Sequence, residues 1–466
     1  MSLAQRRTFE SGLMDGLMKV PLSNILARRF DLRGPTAAGR SVVGNGGRLM
    51  AIQWIETALG ALYFAIMARC LGPALYGHWA YGVAAYLLVI GLFGFGFDAL
   101  VMLRVGRDNR GASDFVGLML TLRLSLLGLG ALVLAAYALF DEPDPLGRLV
   151  LLLLVPALIG RGVALSARVC FLAYERMADY AQFVALFRCA EAACGIAYLL
   201  AGGGLIGVVV LHAVCWVGEA GCGLLLIRSR LAPVSLRLTW RPAKETLAEG
   251  AVLGLGAAAY TILTSGPIMI LRHTAVGMTA LGQFAIVLSL TMILAGSAQS
   301  FFTAALPLLS RSVPSVDAGI AYSRIAALVI AAGSVFAAGA GWVIGSPVAQ
   351  WALGARYAEA GALLAPFVLI GGLALVPTGY AQMLLVAGRR WPIALPDVAA
   401  ALCLAAALAP AVAVRGLDGA VAATAGAWLV RAALLIGWGE ARGARAFSRA
   451  TVAVGQREMP AGADRS

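Results

Sequence analysis

The stretch "ARCLGPALYGHWA", residues 68–80, sets Gly72, Pro73 and Gly77 between two long apolar runs, and a similar break, "HTAVGMTALGQFA", returns at residues 273–285. Aligning Leu71–Ala80 with Val276–Ala285 superposes Gly72 on Gly277, Gly77 on Gly282, Trp79 on Phe284 and Ala80 on Ala285, at an offset of 205 residues. The meaning of this echo depends on what the apolar runs around it are.

Composition answers that first. The 466 residues are 61% hydrophobic and 13% charged, with a mean hydropathy of +0.87, whereas soluble domains are about half apolar and about a quarter charged. A hydrocarbon layer about 30 Å thick takes roughly 20 apolar residues per helical crossing. Reading the apolar runs against their polar and Gly/Pro breaks predicts twelve helices, near 47–70, 79–103, 114–140, 149–172, 183–201, 205–227, 249–271, 280–309, 320–343, 358–387, 392–414 and 419–441. The run at 280–309 carries Pro307 and exceeds what a bilayer needs, so it is expected to tilt or to end in an interfacial turn.

Each copy of the echo falls between the first and second helix of a six-helix group. Six crossings return the chain to its starting side, so a true repeat makes two halves in one orientation, an arrangement that transporters use with the cargo path between the halves. Gly and Pro mark tight turns in any polytopic protein; equivalent placement in two six-helix blocks is what favours duplication. The expected fold is therefore an all-α polytopic membrane protein of about twelve transmembrane helices in two halves, related by a pseudo-two-fold along the membrane normal. The expected organisation is a basic extension (1–45), a first half (46–227), a basic linker "RSRLAPVSLRLTWRPAKET" (228–246), a second half (247–441) and a polar tail (442–466).

Cations in the connections set the orientation. The loops at 104–113, 173–182, 228–246, 310–319 and 388–391 hold 12 Arg and Lys, against 4 in the alternate loops. Both termini and the linker are thus expected on the cytoplasmic side, and the acidic "DEPDP" at 141–145 on the far side. The net charge of +13 borders apolar helices, which points to anionic lipid headgroups and not to nucleic acid. The first 45 residues do not read as a signal peptide, because Asp15, Lys19 and Pro21 interrupt their one short apolar stretch. The seven cysteines include no Cys-x-x-Cys pair, and His78, His212 and His273 lack metal-ligand spacing, so no metal or other cofactor is expected.

The stretch "ARCLGPALYGHWAYGVAAYLLVIGLFGFGFDALVMLRVGR", residues 68–107, resembles the amino-terminal pattern of the polysaccharide or lipid-linked-oligosaccharide flippases of the multidrug/oligosaccharidyl-lipid/polysaccharide exporter superfamily. In these proteins a first helix ends in a Leu-Gly-Pro-x-x-Tyr-Gly turn and a second runs through a Gly-rich segment into a basic loop. "ALGQFAIVLSLTMILAGSAQSFFTAALPLLSR", residues 280–311, is similar to the family's eighth helix, and the resemblance covers roughly residues 45–441. It implies transport of a polyprenyl-pyrophosphate-linked oligosaccharide across the bacterial cytoplasmic (inner) membrane by alternating access, for surface polysaccharide biosynthesis (lipopolysaccharide or exopolysaccharide), with other polysaccharide assembly proteins as partners. It does not identify the sugar.

Such a cargo needs cations within the spans, where ionisable side chains are costly and face a cavity or a partner. Arg123 lies nine residues past the start of its predicted helix, about 13 Å deep at 1.5 Å per residue. Arg161 and Arg431 are near mid-span, and Arg48 is at the mouth of the first helix. These four are the candidate substrate contacts, since guanidinium donors can bind phosphate oxygens bidentately. With 34 Arg and 2 Lys in the chain, depth and not residue type is the evidence. Glu56 and Glu219 are candidates for ion coupling, or for charge pairing with Arg123 and Arg161. Arg188 and Glu191, spaced i, i+3, are expected to neutralise each other, and Arg168 to snorkel to the surface.

Two other functions compete. A multidrug, cation-coupled exporter of the same superfamily would call for an acidic cavity, and the mid-span excess is basic. A membrane enzyme of glycan assembly, such as a polymerase or ligase, would handle the same lipid, but the sequence has no Asp-x-Asp motif and its longest predicted outer loop is 344–357. No Gly-x-x-x-x-Gly-Lys-Ser/Thr nucleotide loop is present. A transporter, not an enzyme, is the expectation.

Overall fold

A computed structural model describes residues 37–105, 112–174, 176–231, 239–312, 316–386 and 390–457. Residues 1–50 and 51–466 are separate compact units, and every candidate membrane crossing among the described residues lies in the second. Hydrocarbon supplies no hydrogen-bond partners, so each crossing segment must satisfy its own backbone, and the helix does so. The described residues are accordingly helical between short connections. The helices are α1 (Ala37–Phe93), α2 (Phe97–Val105), α3 (Ala112–Phe140), α4 (Pro145–Ala173), α5 (Met177–Leu200), α6 (Leu205–Leu226), α7 (Trp240–Arg272), α8 (Met278–Ser312), α9 (Val316–Leu353), α10 (Ala358–Leu375), α11 (Thr378–Val386) and α12 (Trp391–Arg457).

Among the described residues ten stretches are long and apolar enough to cross a membrane. Two of them run through a backbone break that only glycine tolerates easily: Gly72 in α1 (φ 74°, ψ 169°) and Gly416 in α12 (φ 58°, ψ −134°). Each therefore holds two crossing segments, and the count becomes twelve, in two six-helix halves. Pro73 directly after Gly72 suits the first position of a new helix, where its missing N–H costs nothing. The second crossing bends between α1 and α2, where Phe95 and Gly96 both take positive φ. In the second half, α10 and α11 together make one crossing, interrupted at Val376 and Pro377. Helix α7 begins at Trp240, so the connection between the halves is already helical over its last seven residues. Helix α12 continues to Arg457.

A single apolar core runs through the halves, with Trp79, Tyr81 and Tyr86 among its largest fully buried side chains in the first and Phe284, Phe367 and Trp428 in the second. Apolar side chains on the outside, such as Leu328, Phe336, Trp342 and Trp351 of α9, remain exposed. They suit contact with lipid tails.

The expected loop at residues 71–78 is corrected by the structure: Gly72 alone breaks the helix, and Tyr76, Gly77 and Trp79 are helical. Gly77 and Gly282 serve a different purpose. A Cβ on Gly77 would lie 2.5 Å from the carbonyl oxygen of Met278 and 3.3 Å from the nitrogen of Gly282. A Cβ on Gly282 would lie 1.8 Å from the carbonyl oxygen of Pro73 and 3.1 Å from the nitrogen of Gly77. The two copies of the repeated motif thus lie against each other. The missing side chains let the backbones of α1 and α8 touch, as small residues do at helix crossings in membranes.

Close packing here leaves no room for a methyl group. Gly282→Ala is expected to cost about 1–3 kcal/mol by overpacking and to lower the melting temperature in detergent, whereas Gly426→Ala, where a Cβ meets nothing within 4 Å, is expected to leave it unchanged.

Candidate functional site

The first half encloses a polar cluster built from four helices. Helix α6 supplies His212, Trp216 and Glu219, spaced i, i+4, i+7 and so on one face. Helix α5 supplies Arg188 and Glu191, α4 supplies Arg161, and α1 supplies Tyr86. Arg188 bridges two carboxylates, donating to Glu191 at 2.5 Å and to Glu219 at 2.7 Å. The other Glu191 oxygen accepts from His212 Nδ1 at 2.5 Å. Trp216 Nε1 lies 3.1 Å from His212 Nε2. An indole N–H only donates, so Nε2 must present its lone pair and the proton must sit on Nδ1: His212 is the neutral imidazole, fixed by its two neighbours.

The chain of bonds continues outward. The Tyr86 hydroxyl lies 2.9 Å from His212 Nε2 and accepts from Arg161 Nη1 at 2.8 Å. Both guanidiniums lie over the same indole, Arg188 at 3.8 Å and Arg161 at 4.7 Å from the Trp216 ring centre. Trp216 therefore does two tasks, holding the His212 ring and spacing two like charges on its π surface. Glu56 lies within electrostatic reach of Arg168 and Arg188.

Arg161 differs from its neighbours. Arg188 has two carboxylates within ion-pair range, while among the described residues Arg161 has none. Its Nε is buried without a hydrogen-bond partner, as is that of Arg188. It is a guanidinium inside a span, held by a phenol and an indole, with donors to spare.

The other predicted residues lie elsewhere. Arg123, 3% exposed, is tied to Asp98 of α2 at 2.9 Å, against Cys170 of α4. Arg431 is in the second half, where its Nε donates to Asp397 at 2.5 Å and its guanidinium lies over the rings of Tyr260 and Trp428. Arg48 falls outside the residues whose side chains are described. The structure thus gathers Arg161 and Glu219 into one cluster with Glu56 at its border, and places Arg123 and Arg431 in separate pairs. The expected Arg188–Glu191 pair is present, but as part of the wider network. Sequence reasoning misses Trp216 and Tyr86 and gives His212 no role beyond rejecting it as a metal ligand; the regular spacing of His212, Trp216 and Glu219 along one helix is the available signal. Among the described residues no group of His, Cys, Asp and Glu has the geometry to hold a metal ion.

The sequence model of the family described as polysaccharide biosynthesis protein matches residues 42–313, more than half of the chain. The chain belongs to this family. No curated protein matches it significantly by sequence. Among solved structures, the lipid II flippase MurJ in an inward closed conformation superposes with a TM-score of 0.66 at 12% identity, over 83% of this chain and 86% of that one. A multidrug resistance MATE transporter in its inward-facing conformation gives 0.63 at 14% identity, over 85% and 98%. A superfamily transporter from Pyrococcus furiosus, described as having a binding pocket of reversed polarity, gives 0.56 at 16%, over 86% and 95%. At these identities the likeness is one of fold, and it is the two-lobed, twelve-helix fold of these transporters.

Each buried ion pair of this protein stands or falls as a unit. Asp397→Ala leaves the Arg431 charge without its partner and is expected to destabilise the protein by about 3–5 kcal/mol, whereas Asp397→Ala combined with Arg431→Met removes both charges and is expected to recover most of that loss. Thermal unfolding of the two variants in detergent checks this.

Proposed function

We propose that this transporter carries a polyprenyl-pyrophosphate-linked oligosaccharide across the bacterial cytoplasmic membrane by alternating access, supplying surface polysaccharide assembly. In this reading both termini face the cytoplasm and the 141–145 connection faces outward. One observation carries the proposal: Arg161 is a guanidinium within a span that has, among the described residues, no carboxylate in ion-pair range.

Such a charge is costly in hydrocarbon. An anion that docks against it supplies what the protein leaves out, and a phosphate group can accept two parallel N–H donors from the same fork. Glu191 and Glu219 are bonded to Arg188 and feel the charge of Arg161 from beyond ion-pair range, so they balance the cluster's two guanidiniums while leaving the Arg161 donors open to an anion. The glycan would occupy the polar path between the halves and the polyprenyl tail the lipid alongside. Family membership supports the same cargo class.

The remaining charges fit around this contact. Glu219 serves as a charge partner through Arg188, and Glu56, near Arg168 and Arg188, is the carboxylate we assign to ion coupling. Arg123 and Arg431, each tied to an aspartate, act as ties between helices within their own halves. Arg48 keeps its assignment as the first contact at the cytoplasmic mouth.

The test is flipping of lipid-linked oligosaccharide in cells that depend on this transporter, read as the fraction of the glycan open to an impermeant modifying reagent. A hydrogen bond to a charged group contributes about 1.5–3 kcal/mol, so Arg161→Ala at normal membrane abundance is expected to slow flipping by at least about tenfold. Arg161→Lys, which keeps the charge and loses the fork, is expected to fall between. Undiminished flipping in Arg161→Ala sinks the assignment.

A further inference from the structure

Charges also meet where the two halves touch. Glu142, in the short connection between α3 and α4, is 1% exposed although it lies at an end of the helices. Its carboxylate pairs with Arg272, the last residue of α7 in the second half. It also accepts from the Tyr81 hydroxyl at 2.5 Å and from the backbone N–H of Asp144 at 3.1 Å. The Arg272 guanidinium lies 5.6 Å from the centre of the Tyr81 ring. Beside it, His273 Nε2 is 2.7 Å from the Tyr137 hydroxyl, which is itself 2.8 Å from that of Tyr81. Three side chains of the first half thus grip two consecutive residues of the second.

The connection that carries Glu142 is held from several sides. Arg148 donates to the Glu142 carbonyl oxygen at 3.0 Å. Asp144 caps α4 through the backbone N–H groups of Leu146 and Gly147 and accepts from the His78 ring at 2.6 Å. Burial works against the Asp144 carboxylate, but the His78 bond and these two amides outweigh it and hold its pKa below the ordinary range. Glu142 is therefore presented from a braced loop. Tyr81 lies one helical turn beyond Gly77, four residues on and on the same face of α1, so the grip sits beside the glycine crossing. A further tie spans the same two halves, from Arg69 to the backbone oxygen of Trp351 at 2.8 Å.

We propose that the Glu142–Arg272 pair, steadied by Tyr81, Tyr137 and His273, is the latch that closes this face of the transporter and opens once in each cycle. The physical case rests on what happens to each kind of contact when the halves part. An apolar seam would be exposed to water, and its full hydrophobic cost would oppose opening. A buried ion pair loses its mutual attraction but regains the hydration it gave up on burial, so the two states differ little in free energy. Such balance is what a two-state element needs. The glycine crossing supplies the complementary part, a close backbone contact that is either made or absent. The latch needs only alternating access and does not depend on the cargo proposed above.

The test uses the full-length chain in lipid nanodiscs, with its seven free cysteines replaced and one reporter cysteine introduced. Leu281→Cys reports on the crossing and Leu404→Cys on the second half away from it; both leucines are fully buried. Reaction with an impermeant maleimide, with no cargo present, is followed in the parent, in Glu142→Gln and in Arg272→Gln. The expected result is labelling about tenfold faster at position 281 in both variants, equivalent to about 1.4 kcal/mol less stability for the closed state, with the rate at 404 unchanged. A parent rate at 281 overturns the latch. So does equal acceleration at both positions, which means general loosening. Because the readout contains no glycan, failure here leaves the lipid-linked cargo standing, and failure of the Arg161 test leaves the latch standing.

Discussion

Hydrocarbon cannot hydrogen-bond, and every feature of this protein follows from having to satisfy polar groups without water. The backbone meets the demand locally, by remaining helical across each span and breaking at positions such as Gly72 and Gly416. The side chains meet it within one helix and between neighbouring ones. Arg123 finds Asp98, Arg431 finds Asp397, and Arg188 finds Glu191 and Glu219, so that each charge left in a span is part of a pair or network. Against that background Arg161 stands apart, held by Tyr86 and Trp216 and by no carboxylate. Its open donors are the basis of the anionic cargo proposed above.

The two halves share a fold but not a polar interior. The first concentrates its charges on α4, α5 and α6, where Trp216 fixes His212 with its N–H and carries two guanidiniums on its rings. The second holds one buried pair, Arg431 with Asp397, between Tyr260 and Trp428. Duplication explains the common architecture, and divergence of the interior explains why one half has a candidate cargo contact and the other mainly a wall. Where the halves meet, symmetry is still visible in the contact of Gly77 with Gly282, while the Glu142–Arg272 pair beside it has no symmetric requirement and belongs to this interface alone.

Crossing segments, their number and their division into two groups of six were legible in the sequence, because apolar length is a local property that each span must satisfy by itself. The depth of Arg161 in its span was legible for the same reason. The purpose of Gly77 was not. A glycine between apolar runs reads equally well as a turn or as a site of close approach, and the choice depends on what lies opposite, here Met278 and Gly282, some two hundred residues away.

The sequence by itself therefore determined that this chain is a duplicated, twelve-span membrane protein with guanidiniums buried in its spans, since hydropathy and turn chemistry act within a few residues. Only the tertiary structure decided which of those charges are neutralised and which is open, that His212 is neutral and pinned by Trp216, and that Glu142 joins Arg272 across the halves. Ion pairs and hydrogen bonds need partners within about 3–4 Å in space, and helices that pack side by side bring together residues whose separation along the chain carries no trace of that meeting.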